Sequence, residues 1–426
     1  MPDVCHCSLI AITTGIVDMH LLMFRIIGHP AVPDSSWVEI GRGLNVLKTL
    51  SADQAEALTH ILQTINPPYD IDQVDPFCHL PRYLDGPGYR RRIIPSKKTA
   101  ALAIFAAPPR LVRELTSIDS VYYATDRIEF GRRRDHSRWV NFVELAGSIR
   151  WSEIEPAIST LLDRSGAVGK TVAERLGPTI APLRGPDRIK GPVAEMLKEH
   201  LETLWPFLPE YEQQQLDQCL DAIDRAEHFR QARDRASAWL PYFVRITAAT
   251  VGLADDETDA ARCKAMSVAP LTFLAERLAA DHADKTSWDQ LLSRVNSQLE
   301  DLYPGLTLHC EREGGTATLE SRQRPAPLSL LDLPPVRRIE ALMAAASVLH
   351  GQLHGYQPIF LLDVNGMHLQ AGEQTDLLQV LLRHCSRWQS VIAPDPGFLD
   401  LCSRRLGPGG NSGHSLAKLI DATPAG

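Results

Sequence analysis

Apolar positions along the chain switch between two periods. His20–Ile27 and Trp37–Leu47 are short, β-rich runs separated by a Pro-containing turn at Pro30–Pro33, and they read as a pair of strands. In Ser51–Ile65, Ala55, Leu58, Ile61 and Leu62 fall on one helical face. Ser51 is the N-cap and Asn66-Pro67-Pro68 ends the helix. Thr99–Ala106 and Val121–Phe130 are further β-like runs. From about residue 146 to 300 the period is helical. Leu216, Leu220, Ile223 and Ala226 keep helical spacing, as do Trp288, Leu292, Val295 and Leu299. Pro206 and Pro209 break the pattern, so this is a short helical insertion and not one long coiled coil.

After Tyr303-Pro304-Gly305 the elements alternate again. Leu306–Cys310 and Thr316–Glu320 predict a hairpin around Gly314-Gly315. Pro335 begins a helix through Leu349, Ile359–Asp363 is a buried-type strand, Glu373–Cys385 a helix and Ser390–Ala393 a strand. Strand–helix–strand order implies a parallel sheet. No internal repeat is visible, and Gly407–Ser415 reads as a flexible, Gly-rich tail.

With 426 residues, the chain is long enough for two or three lobes. Its net charge of −8 argues against a general nucleic-acid coat, although local basic patches stay compatible with it. Eight cysteines without regular spacing read as reduced thiols of a cytoplasmic protein. Cys5-His6-Cys7 is a poor metal motif because no second pair lies near it, and the 15 histidines show no metal-ligand spacing. Ser8–Val17 lacks a basic leader and is too short to span a bilayer, so no membrane partner is expected.

One stretch carries candidate chemistry. RSGAVGKT, residues 164–171, ends like a phosphate-binding loop, with Gly166, Gly169, Lys170 and Thr171 as the nucleotide ligands. Such a loop needs a strand before it and a helix after it. Here Arg164 holds the first glycine position, and Ile154, Ala157, Ile158, Leu161 and Leu162 precede it at helical spacing. Gly177-Pro178 interrupts the following helix after barely two turns. A glycine-containing turn between two helices is the alternative. GPGGNSGHS near the C-terminus has His414 where a lysine belongs.

A second stretch, WVEIGRGLNVLKTLSADQAEALTHIL at residues 37–62, resembles the N-terminal part of SMC/RecF-type (ABC-like) ATPase heads. The strand Gly43-Leu44-Asn45-Val46-Leu47 and its following helix match. By that resemblance the phosphate loop has lost its chemistry. Thr49 and Gln54 hold its glycine positions, Ala55 replaces the lysine and Glu56 the magnesium-binding hydroxyl. A lost cation and an added carboxylate both oppose a polyanion. Residues 301–330 resemble the lead into the signature motif, with Leu328-Ser329 followed by Leu330, Leu331 and Asp332 in place of two glycines. Asp363 fits the magnesium-supporting aspartate, or is an ordinary turn residue. Val364 stands where the water-activating glutamate should follow, and it cannot accept a proton. Pro394 and Asp395 occupy the switch-histidine region.

The resemblance implies an α/β fold: an ABC/SMC-like P-loop-type head formed by both chain ends, with a central helical insertion. The expected divisions are an N-terminal extension at 1–18, an N-terminal lobe at 19–145, the insertion at 146–300, a C-terminal lobe at 301–402 and a flexible tail at 403–426. The implied function is a non-hydrolysing pseudo-ATPase scaffold, without cofactor, docked on a protein partner such as an active ATPase head or a nuclease in a DNA-associated complex. The alternatives are an active NTPase using ATP and Mg²⁺ at Gly166–Thr171, and a nucleotide-independent DNA-binding module. That module would contact phosphates through Arg90, Arg91 and Arg92 and through Arg132, Arg133 and Arg134, with Tyr122, Tyr123 and Trp139 available to stack on bases.

Overall fold

In the computed structural model of the chain, the described residues are 18–48, 51–86, 89–119, 123, 125–143, 149–189, 191–253, 270–280, 285–310, 317–321, 328–406 and 417–421. Two five-stranded sheets organise them. The first is antiparallel, in the order β2-β1-β6-β7-β8, from β1 (His20–Ile26), β2 (Val38–Glu39), β6 (Thr99–Ala106), β7 (Arg127–Arg133) and β8 (Arg138–Phe142). The second is parallel, in the order β15-β3-β14-β13-β9, from β3 (Leu44–Lys48), β9 (Phe243–Ile246), β13 (Ile359–Asp363), β14 (Gln389–Ala393) and β15 (Ala417–Asp421). A hairpin of β4 (Tyr83–Gly86) and β5 (Tyr89–Ile93) stands apart. So does a small antiparallel sheet of β10 (Leu306–His309), β11 (Thr318–Ser321) and β12 (Leu328–Ser329).

Trp37–Leu47 is therefore not one strand. Val38–Glu39 pairs with β1, and the chain then crosses to start the parallel sheet at Leu44. Asn45 makes the crossing. Its buried amide donates to the carbonyls of Gly41, Gly43 and Ser390 and accepts from the Gly41 amide at 2.6 Å.

The central strands are apolar throughout because both faces are covered. Ile359 and Leu361 of β13 pack with Leu47, the antiparallel sheet and α1 (Ala52–Gln63). Phe360 and Leu362 point the other way, toward the C-terminal helices. Between the sheets' strands run α2 (Ile71–Val74) and α3 (Pro109–Thr116). A set of helices follows, α4 (Trp151–Arg164), α5 (Gly166–Ile180), α6 (Gly191–Glu202) and α7 (Glu210–Ala238), with an apolar core of its own that includes Ile158, Leu161, Leu176, Leu197 and Leu216. Then come α8 (Pro270–Ala280), α9 (Lys285–Leu302), α10 (Pro335–His354), α11 (Ala371–His384) and α12 (Pro396–Leu406).

Two expectations need correction. The stretch 146–300 is not helical throughout. Phe243, Val244 and Ile246 form β9 at one edge of the parallel sheet, because Pro241 ends the helical register and these β-branched and aromatic residues are buried against β13. The stretch 403–426 is not wholly a tail, since β15 closes the other edge beside β3. Cys5-His6-Cys7 and the Gly407–Ser415 stretch lie outside the described residues. Among the described residues no helix is long and apolar enough to cross a membrane, and Cys78, Cys219, Cys310, Cys385 and Cys402 form no disulfide.

Candidate functional site

The C-terminal ends of parallel strands are where an α/β fold gathers its polar groups. In this sheet that edge is built from Asp363, the last residue of β13, from Arg245 on the neighbouring β9, and from α1 packed across both strands. Arg245 Nη2 donates to Asp363 Oδ2 at 3.2 Å, and its Nε donates to Thr59 Oγ1 at 3.0 Å. Thr59 in turn donates back to the carbonyl of Ala55 at 3.0 Å. Arginine and aspartate are both largely buried. The carboxyl of Asp363 is raised from its usual range by burial; Arg245 works against that shift, and exposed Glu56 adds to it. Asp363 Oδ1 is buried without a hydrogen-bond partner among the described residues.

The start of α1 is closed locally. Ser51 Oγ accepts from the Gln54 amide, and the Gln54 side chain accepts from the Ser51 amide at 3.0 Å, a complete capping box. Amides that would face a phosphate are thus engaged by the chain's own side chains. Ala55 is buried and Glu56 exposed. Val364, after Asp363, is buried, and its amide donates to the Ala393 carbonyl at 3.0 Å. The helix α10 that follows Leu330–Asp332 starts at Pro334-Pro335, so two of its first positions have no amide hydrogen to offer. Asp395 accepts from the Phe398 amide at 2.8 Å, capping the start of α12.

At this edge the Arg245 guanidinium pairs with the Asp363 carboxylate, and exposed Glu56 presents negative charge near the start of α1. The arrangement can fix α1 against the sheet.

RSGAVGKT lies elsewhere. Arg164 ends α4, Ser165 is the junction, and Gly166 opens α5 with φ +60°. No strand precedes it. Gly169 sits inside α5 and packs directly on α4; a Cβ there would run into the Leu162 carbonyl oxygen. Lys170 and Thr171 are exposed, and the Thr171 hydroxyl donates to the Ala167 carbonyl. The helix also continues through Gly177-Pro178 to Ile180, contrary to the expected interruption. Gly169 thus serves close packing of α5 on α4.

The arginine clusters separate. Arg132 is 6% exposed. Its guanidinium donates to the carbonyls of Thr64 (2.6 Å), Ile65 (3.0 Å) and His136, so it caps the end of α1. Arg133 donates to Ser137 Oγ and Arg134 to the Pro81 carbonyl. Arg90, Arg91 and Arg92 lie on β5, with side chains outside the described residues. Tyr123 is core, and the Trp139 indole lies against Gly131 and donates to Thr99 Oγ1. Tyr122 is outside the described residues. No group of three or more His, Cys, Asp or Glu among the described residues is arranged to hold a metal.

Sequence reasoning missed Arg245. Its signal was present in Pro241-Tyr242-Phe243-Val244-Arg245-Ile246, a short β-type run with one charge, set within a helical region.

No protein-family model matches the chain, and no curated protein matches it. Solved structures similar to it include an Smc head bound to the C-terminal winged-helix domain of ScpA, at a TM-score of 0.41 and 9% identity over 89% of this chain and 92% of that one. An Smc head with a coiled coil and joint from Pyrococcus yayanosii gives 0.37 and 11% over 88% and 92%. The SMC head from Thermotoga maritima gives 0.34 and 7% over 89% and 91%. Likeness at this level speaks to neither activity nor partners.

Proposed function

We propose that this chain is a catalytically silent counterpart of SMC/RecF-type ATPase heads, acting as a scaffold or regulatory subunit. The observation that carries the reading is the Arg245–Asp363 pair at the edge where a magnesium aspartate would work. A fixed internal cation replaces the metal's charge, and the capping box replaces the phosphates' contacts. Both substitutions keep the fold's central joint intact without a ligand. The protein's role is then to dock on a partner, an active ATPase head or a nuclease, within a DNA-associated complex.

Calorimetry with ATP and GTP in the presence of Mg²⁺, on wild type and Lys170→Ala, tests the reading together with a turnover assay. No binding in either protein and no turnover are expected. Nucleotide binding destroyed by Lys170→Ala would relocate the site to α5. Robust turnover lost through any substitution in this chain would overturn the silent head.

A further inference from the structure

Of the five large apolar side chains exposed among the described residues, four come from one short stretch: Met196, Trp205, Phe207 and Tyr211. The three aromatics are the most exposed of all, at 47%, 58% and 65%. They surround the turn between α6 and α7, far in sequence from the nucleotide-like edge. The turn is a built feature. Leu204 and Leu208 are buried and anchor it on either side, which turns Trp205 and Phe207 outward. Gln213 Nε2 donates to the carbonyls of Trp205 (3.1 Å) and Leu208 (3.0 Å), and Pro206 and Pro209 restrict the backbone. A preformed loop of tryptophan, phenylalanine and tyrosine has the composition of an interface centre and loses little entropy on binding.

The free charge around the turn is net acidic, since Arg164 is paired with Glu212 and Lys198 with Asp224. Glu199, Glu202 and Glu210, in the same stretch of chain, are exposed, while Lys198 is tied to Asp224 at 2.7 Å. Such a rim repels nucleic-acid phosphates and anionic lipids, and it repels a second copy of itself across a twofold contact. It attracts a segment that carries lysine or arginine around apolar anchors.

We infer that the Trp205–Tyr211 turn is a docking surface for a basic, amphipathic segment of a partner protein. The inference names the partner chemistry for the scaffold reading above and rests on that reading only for its purpose. The test uses the full chain and a fluorescein-labelled, 14-residue amphipathic leucine/lysine helix, read by anisotropy. Phe207→Ser/Tyr211→Ser is expected to weaken binding at least tenfold, and Glu202→Lys/Glu210→Lys at least threefold. A leucine/glutamate peptide of the same apolar pattern should not bind. All four side chains are exposed, and unchanged circular dichroism verifies the fold. Equal binding by both variants, or by the glutamate peptide, overturns the surface. A wild-type dimer in sedimentation, or flotation with phosphatidylserine vesicles, that only the serine variant abolishes assigns it to a second copy or a membrane and overturns it too. ATP calorimetry on the same proteins separates the two ideas. Peptide binding beside ATP binding sinks the silent site alone; neither binding sinks the surface alone.

Discussion

Arg245→Met should destabilise this protein strongly, in a way that depends on pH. The substitution keeps an apolar stem on β9 but removes the cation 3.2 Å from Asp363 and the donor to Thr59. Breaking a buried pair from one side costs about 3–5 kcal/mol, because the remaining charge stays desolvated. Asp363 has one escape, which is to take up a proton. Its carboxyl is already raised above the usual 3.8 by burial, against the pull of Arg245, and losing Arg245 raises it further. The folded form then holds the proton more tightly than the unfolded form. Its contribution to stability is therefore fully present below about pH 4 and is lost as pH rises through the raised value. The deficit of Arg245→Met relative to wild type is largest at pH 7 and shrinks towards pH 4.5. With a urea slope of about 3 kcal/mol/M, the midpoint at pH 7 falls by about 1–1.7 M. Adding Asp363→Asn should recover at least about 1.5 kcal/mol, since the orphan charge is gone. Urea unfolding followed by far-ultraviolet circular dichroism measures all three proteins. A single variant within about 0.5 kcal/mol of wild type at pH 7, a deficit unchanged at pH 4.5, or no recovery in the double variant would each refute the pair's role.

Arg132→Ala should cost about 2–4 kcal/mol by leaving the carbonyls at the end of α1 without their donor, whereas Arg133→Ala stays within about 0.5 kcal/mol; equal effects in thermal melts would contradict the capping role. Gly169→Ala forces α4 and α5 apart at Leu162 and should lower stability by about 2 kcal/mol or more, while Lys170→Ala leaves it unchanged; a neutral Gly169→Ala would mean the helices are not in contact there. His350 accepts from the Tyr242 amide and donates to the Tyr356 carbonyl, and burial lowers its pKa to about 3. Its neutral form is favoured in the fold, so stability is present above pH 6.5 and falls towards pH 3 by up to about 1.4 kcal/mol per unit. His350→Gln should flatten the melting temperature in that window, and an unchanged slope would exclude this histidine.

The parts of the fold that were legible are those whose neighbours impose one period. Ile359–Asp363 and Thr99–Ala106 are strands with the expected bounds, and α1 and α10 start at the expected Ser51 and Pro335 signals. β9 and β15 were not legible, because a four- or five-residue edge strand carries too few positions to outweigh a helical or Gly-rich neighbourhood. The candidate site was half legible. Asp363 was singled out through the resemblance to SMC/RecF-type heads, but its partner is 118 positions away, and no local pattern links them. Arg132 illustrates the converse: three consecutive arginines look alike in sequence, yet strand alternation turns only the first of them to the face of Ile128 and Phe130, toward the end of α1.

The position of β3 sets a schedule for synthesis. Its neighbours on both sides are β14 and β15, so Leu44 pairs with Ser390 and with Ala417. Translation at about 5–20 residues per second leaves those partners unmade for on the order of 20–75 s after β3 emerges. During that interval Val46, fully buried in the finished protein among residues from Val244 onward, lacks its cover. The central sheet is thus assembled last, from pieces distant along the chain, and its formation is a slow, non-local step. The α4–α7 set, whose core is made from consecutive helices, has no such wait. Nascent chains of this protein should carry a folded helical unit beside an open sheet edge, which is the state a chaperone would meet.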